Sequence, residues 1–322
     1  MDSEKRLELV KNNTEELITE EELKQLLETK DKPVTYCGYE PSGPVHLGHL
    51  VTITKLTELK KAGFHVKVLF ADWHAWLNKK GDWNFIEKQL KTWEKAFKAT
   101  GLEDAEYVKG TDFQRAKEYI DDLFIISINT TLNRGLRSMQ EVARDIEHAS
   151  VSQVIYPLMQ INDIKHLGVD VAQAGIEQRK IHMLAREVLH KVDYQKPMFV
   201  HTPLINSLSG PGKKMSSSLP ESIISVNDSE ADIKAKINKS YCVEGEVEGN
   251  PVLEISRLIV FPRIKELKIE RPDKFGGDIG FPSYEDLEKA FAAKELHPMD
   301  LKNAVTSQLI EILEPARKAF SK

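Results

Sequence analysis

Cysteine is scarce: the 322 residues contain two, Cys37 and Cys242, far apart and in unlike surroundings. That excludes a disulfide framework and a cysteine-rich zinc site, and both thiols read as reduced packing residues. No run of about 18 uncharged apolar residues occurs, and the opening stretch from Met1 to Lys11 is rich in acids and bases where a signal segment would be apolar. The expectation is a cytoplasmic protein with no membrane partner. Positive charge is not in excess either: 45 Lys and Arg against 50 Asp and Glu leave a net charge of -5, so no overall basic footprint announces nucleic acid, and DNA is not expected. An RNA partner has to meet local patches. Bases cluster at Lys213 and Lys214, at 234–239 and at 263–274, although each cluster can equally be a solvated surface. Internal repeats and low-complexity tracts are absent.

What is present suits two cores, because a single core stops growing near roughly 300 residues. The 41% apolar and 30% charged fractions belong to a globular enzyme rather than a disordered chain. The opening segment reads as helix, with Thr19 and Glu22 as a capping box and Leu23, Leu26 and Leu27 as its stripe. A β-prone run at 34–39 is stopped by Glu40-Pro41-Ser42-Gly43-Pro44, and helical periodicity resumes over 47–61 until Gly63. Strand at 65–72, helix at 85–100, strand at 169–172, helix at 178–189 and strand at 198–202 continue the alternation. Such alternation predicts a parallel sheet. A nearly continuous helical stretch over 119–167 interrupts it, and beyond about Pro220 the segments 230–237, 253–259, 283–294 and 298–320 are all helical in pattern. The fold class expected is α/β: a Rossmann-like parallel-sheet catalytic domain over 1–219 with a helical insertion at about 119–150, then a mostly α-helical C-terminal domain over 220–322.

Two motifs carry chemistry. Pro41-Ser42-Gly43-Pro44-Val45-His46-Leu47-Gly48-His49 directly follows the first strand of the alternation, with His-Leu-Gly-His at the mouth of the next helix. Backbone N–H groups at a helix start attract phosphate, Gly48 permits close approach of a ligand, and the imidazoles of His46 and His49 can donate to phosphoryl oxygens. Far downstream, Gly210-Pro211-Gly212-Lys213-Lys214-Met215-Ser216-Ser217-Ser218 is a glycine-led, hydroxyl-rich loop with adjacent ammonium groups. Alone, the first could be a helix surface and the second a flexible loop. In order on one nucleotide-binding sheet they are far more specific. Between them, Tyr156, Gln160 and Asp163 fall at i, i+4 and i+7, so phenol, amide and carboxylate share one helix face suited to a small polar ligand. Pro157 should kink that helix or mark its start.

With these residues in view, the chain resembles the class I aminoacyl-tRNA synthetases, whose signatures HIGH and KMSKS stand here as HLGH and KMSSS. The serine at 217 removes the second lysine of that loop. The passage from Val154 to Arg186, with Gln173-Ala174-Gly175-Ile176-Glu177-Gln178, and the first strand of the alternation resemble the archaeal and eukaryotic tyrosyl-tRNA synthetases. The resemblance runs from Asn13 to Arg317. It implies that Tyr36 and Asp163 hold a tyrosine hydroxyl and that Tyr156, Gln160 and Gln178 hold its α-amino end. Leu69, His74, Gln114 and Leu167 would line the ring pocket. For ATP it implies His46, Gly48 and His49, then Lys214, Met215, Ser216, Ser217 and Ser218, with Glu177 on the ribose. Mg²⁺ would accompany ATP, with no protein-ligated metal. It further implies tRNA(Tyr) contacts at Arg137 and Arg179 for the acceptor stem and at Phe275, His297 and Asp300 for the anticodon. The insertion would carry a homodimer interface. Tryptophanyl-tRNA synthetases share the fold and both signatures, small-molecule adenylyltransferases share the histidine motif, and a silent RNA-binding homologue would share everything except turnover.

Overall fold

The computed structural model describes residues 1–140, 150–217 and 219–321, with the side chain of Phe275 outside the description. The strands are β1 (Glu16–Ile18), β2 (Val34–Tyr39), β3 (His65–Phe70), β4 (Glu106–Lys109), β5 (Val171–Gly175), β6 (Met198–Thr202), β7 (Leu267–Ile269) and β8 (Ile279–Phe281). The helices are α1 (Ser3–Lys11), α2 (Glu20–Thr29), α3 (Leu47–Lys61), α4 (Asp72–Leu77), α5 (Trp83–Phe97), α6 (Lys117–Ile128), α7 (Leu132–Ser138), α8 (Val151–His166), α9 (Arg179–Val188), α10 (Glu230–Lys239), α11 (Pro251–Ile255), α12 (Tyr284–Ala292) and α13 (Pro298–Phe320).

Packing divides the chain into two compact units, and it does so elsewhere than at residue 219. The first unit holds Met1–Ser42, Lys55–Glu94 and Asp104–Pro203; the second holds Gly43–Thr54, Lys95–Glu103 and Leu204–Lys322. The first carries a six-stranded sheet in the order β1-β6-β5-β2-β3-β4. Five strands are parallel, as the alternation predicts, and β1 closes one edge antiparallel to β6. β2 sits between β3 and β5, so the strand order reverses there, and in open α/β sheets ligands bind beyond the carboxyl ends of strands at such a point. Apolar side chains of β2, β5, β6, α8 and α9 fill the core beneath, among them Ile161, Ala172, Ile181 and Phe199.

The α2 start is capped by half a box. The Thr19 hydroxyl accepts from Glu22 N–H at 3.2 Å, but the Glu22 carboxylate turns away to take both Arg186 amino groups at 2.7 and 2.8 Å. A bidentate guanidinium outcompetes a backbone N–H for the same carboxylate. The long helical stretch resolves into α6, α7 and α8, with 141–149 outside the described residues. Pro157 lies within α8 rather than at its start.

In the second unit α13 is the axis against which α10, α11 and the 98–102 turn pack. The unit is not wholly helical, because β7 and β8 form a short antiparallel hairpin. Three-residue strands fall below what a period-2 pattern can reveal, which is why they were not expected.

Candidate active site

The first motif is fastened to the segment 224–226. Leu47 N–H donates to Ile224 C=O at 3.0 Å, Val226 N–H to Val45 C=O at 2.9 Å, and His46 bridges Ser225. Inside the motif, Gly48 N–H donates to His46 Nδ1 and His46 N–H to His49 Nδ1, each at 3.1 Å. This differs from the expectation that free amides at the α3 start would meet phosphate, since those of Leu47, Gly48 and His49 are all spent internally. The imidazoles gain what the amides lose. With Nδ1 accepting, a neutral ring must carry its proton on Nε2, a donor suited to a phosphoryl oxygen. Burial keeps both rings neutral, pushing His46 down to about 4 and His49 well below its ordinary value, where its neighbour His46 adds to the effect. Gly48 is required sterically, because a Cβ there would lie 2.8 Å from His46 Cε1.

The second motif is a loop with a knitted base. Ser207 N–H donates to Lys213 C=O at 2.7 Å and Met215 N–H to Ile205 C=O at 2.9 Å, with Met215 buried as an anchor. Glu254 of α11 clamps the opposite strand, accepting from Asn206 N–H at 2.7 Å and Asn206 Nδ2 at 2.6 Å. Gly210 and Gly212 take left-handed φ values of +103° and +91°, which favour glycine and let the chain turn tightly before the lysines. Lys213 and Lys214 are exposed. The two motifs adjoin: a Cβ on Gly43 would stand 3.4 Å from Ser217 Cβ. Ser218 lies outside the described residues.

The first unit contains a buried polar cluster among apolar walls. Asp163 of α8 is 1% exposed. Its Oδ1 accepts from Gln114 Nε2 at 2.8 Å and from the Tyr119 hydroxyl at 2.9 Å, while Oδ2 is buried without a hydrogen-bond partner. His74 Nε2 stands 3.8 Å from that oxygen, too far for a hydrogen bond, and both His74 nitrogens are unpaired. Burial lowers His74 to about 4, so it is neutral, and lifts the Asp163 carboxyl to about 7 against the pull of its two donors. Tyr36, Leu69 and Leu167 belong to the apolar core of the same unit, and the Tyr36 hydroxyl reaches Gln160 C=O at 3.5 Å. Tyr156 packs edge-on to His74 at 4.6 Å, and Gln160 Nε2 donates to Gln178 Oε1 at 3.2 Å. Glu177 Oε2 and Gln114 Oε1 are further buried acceptors without partners. Orphaned polar atoms at this density cost free energy unless something completes them, and a ligand bearing a hydroxyl and an ammonium group would.

A sequence profile of the tRNA synthetases class I (W and Y) matches residues 28–314. The chain belongs to that family. The tyrosine–tRNA ligase of Methanopyrus kandleri is 50% identical over 100% of this chain and 99% of its own. That of Methanoculleus marisnigri is 53% identical over 96% of each. The tyrosyl-tRNA synthetase of Archaeoglobus fulgidus, solved with L-tyrosine, matches with a TM-score of 0.95 at 48% identity and 99% coverage of both chains. A tryptophanyl-tRNA synthetase of Aeropyrum pernix reaches 0.75 at 19% identity over 94% of this chain and 82% of that chain, which is a likeness of fold alone.

Within this class I synthetase the residues expected to meet tRNA are scattered. Arg137 is exposed on α7, and Arg179, first residue of α9, is 46% exposed and bound to Glu16. His297 Nδ1 accepts from Met299 N–H at 3.1 Å as the α13 cap, and Asp300 sits in that helix's first turn, so both already serve the helix start. Sequence reasoning missed Tyr119, which has no motif of its own and meets Asp163 only through the fold. It also missed Glu40, whose carboxylate adds to burial in pushing the Tyr156 hydroxyl well above its ordinary value, and Asp72, whose carboxylate ties α4 to Thr111 at 2.7 Å.

Proposed function

We propose that the chain is a tyrosine–tRNA ligase that converts L-tyrosine and ATP to tyrosyl-adenylate and pyrophosphate, then passes tyrosine to the terminal ribose of tRNA(Tyr). The observation that carries the reading is Asp163, buried with one oxygen accepting two hydrogen bonds and the other without a partner, 3.8 Å from His74 Nε2. A phenol hydroxyl completes that cluster, whereas phenylalanine leaves it unpaired; the handicap for the analogue is on the order of 10⁵-fold in tyrosine-specific sites of this kind. An indole, which only donates, fits it less well. Tyr156, Gln160 and Gln178 hold the α-amino end.

The tyrosine carboxylate is itself the nucleophile, so the protein supplies position and charge neutralisation rather than a Ser, Cys or His nucleophile. His46 and His49 donate through Nε2 to the phosphates, and Lys214 with Ser216 and Ser217 closes on the departing pyrophosphate. Glu177 takes the ribose hydroxyls. Mg²⁺ would accompany ATP as part of the nucleotide substrate. The RNA acceptor end is met by Arg137 and Arg179, and the anticodon by the Phe275, His297 and Asp300 region of the C-terminal domain. Phe124, Ile128 and Leu132 of the insertion and Val151 are exposed apolar side chains, which supports a homodimer through this face. The reaction belongs to the cytoplasm, and among the described residues no helix is long and apolar enough to cross a membrane.

Amino-acid-dependent exchange of pyrophosphate into ATP tests the reading. Exchange with tyrosine alone among the twenty amino acids is the expected result, and exchange with tryptophan but not tyrosine would overturn it.

A further inference from the structure

Behind Arg179 lies a chain of hydrogen bonds that neither the phosphate motifs nor the tyrosine pocket uses. Arg179 Nε donates to both oxygens of Glu16, at 2.8 and 2.9 Å. His201 Nδ1 meets Glu16 Oε2 at 3.0 Å, and His182 Nδ1 meets His201 Nε2 at 2.9 Å. The backbone dictates this arrangement. Glu16 and His201 are direct cross-strand partners in β1 and β6, which places their side chains on one face. His182 follows Arg179 by three residues on α9, one turn along the same side, and stacks on Phe199 at 4.2 Å.

The direction of every bond is fixed. A carboxylate only accepts, so His201 Nδ1–H donates to Glu16; a neutral His201 then has a bare Nε2, and His182 Nδ1–H donates to it. Burial keeps both rings neutral, and the His201 side chain is fully inaccessible. A carboxylate on an edge strand is thereby held in one rotamer from within the core. Its other face grips the Arg179 nitrogen nearest the aliphatic stem, which aims the terminal fork of a side chain that is 46% exposed. The surroundings suit an RNA end: Arg137 lies exposed on α7, and Lys180 adjoins Arg179 and donates to Gln140 just past α7 at 3.1 Å.

We propose that Glu16, braced by His201 and His182, is a positioning residue for the transfer step, presenting the Arg179 guanidinium to the RNA acceptor end and taking no part in adenylate formation. This rests on the reading of Arg179 as an RNA contact. A free arginine samples many rotamers and meets a nucleic acid at an entropic cost; one held at Nε meets it already oriented.

The test compares Arg179→Ala, Glu16→Ala, Glu16→Gln and the double alanine variant in two assays, tyrosine-dependent pyrophosphate exchange and aminoacylation of tRNA(Tyr). Expected are unchanged exchange in Glu16→Ala and Glu16→Gln and a KM for tRNA raised about tenfold by either single alanine change, the scale of losing a charge-assisted orienting bond. The double variant should be no worse than Arg179→Ala, because Glu16 acts only through Arg179. Glu16→Gln keeps shape without charge and should fall between wild type and Glu16→Ala. A raised KM in Arg179→Ala with none in Glu16→Ala overturns the positioning role. Additive losses, or an equal fall in exchange, mark Glu16 as a general stabiliser and also overturn it. An unchanged KM in Arg179→Ala removes the RNA reading of that residue, and the proposal with it.

Discussion

Asp163 joins stability to the proposed specificity in a single side chain. Its carboxyl is lifted to about 7 by burial, from an ordinary value of 3.8. Between those values the folded chain binds a proton that the unfolded chain has lost, so this group subtracts stability progressively as pH rises from about 4 to about 7, and by a constant amount above. Asp163→Asn removes that titration. Its melting temperature relative to wild type should therefore climb from pH 4 to pH 7 and level off, as differential scanning calorimetry would record; a difference independent of pH would place the ionisation elsewhere. The same variant should reduce the preference for tyrosine over phenylalanine in the exchange assay by on the order of 10²-fold, since the bare oxygen no longer selects a hydroxyl. At this scale the helical spacing of Tyr156, Gln160 and Asp163 was readable from the chain alone. The donors Gln114 and Tyr119 were not readable as Asp163 partners, because they arrive on separate segments and meet it only in three dimensions.

Among the elements, the loop bearing Lys214 rises from a base fixed by four hydrogen bonds, two of them to Glu254. Lys214 stands opposite Asn206 in that base with its side chain exposed, which fits the proposed role of engaging as charge moves to the leaving pyrophosphate. Lys214→Ala should accordingly slow exchange by on the order of 10²-fold while KM for tyrosine changes less than about twofold. Equal losses in both would put the ammonium in ground-state binding of the amino acid. Long elements were legible: α3, α13 and β6 have the bounds their periodicity predicts. Short ones were not. β1 is a three-residue edge strand with a glutamate at its head, and neither its alternation nor its composition rises above that of a loop, yet it supplies Glu16. The half-made capping box at Thr19 shows the limit of local reading, since Arg186 claims the Glu22 carboxylate from 164 positions along the chain.

Over the whole molecule, the buried polar cluster around Asp163 belongs to one compact unit, while the His-Leu-Gly-His run and the Lys214 loop belong to the other, and the second unit recruits Gly43–Thr54 from far upstream. A linear boundary could not anticipate that recruitment, because it depends on backbone bonds such as Leu47 N–H to Ile224 C=O. Ile128, 83% exposed on α6, is the residue through which the proposed homodimer is most readily tested. Ile128→Asp should shift the sedimentation coefficient from dimer to monomer without altering the circular dichroism, and an unchanged coefficient would move the interface elsewhere. The locked imidazoles of the first motif have a consequence for how the enzyme works in a changing cell. Under the proposed function they would meet the nucleotide as dipoles and not as cations, so acidification by a pH unit should leave their hold unaltered. An acid-side loss of turnover is then expected from other groups, the Asp163 carboxyl, lifted to about 7, among them.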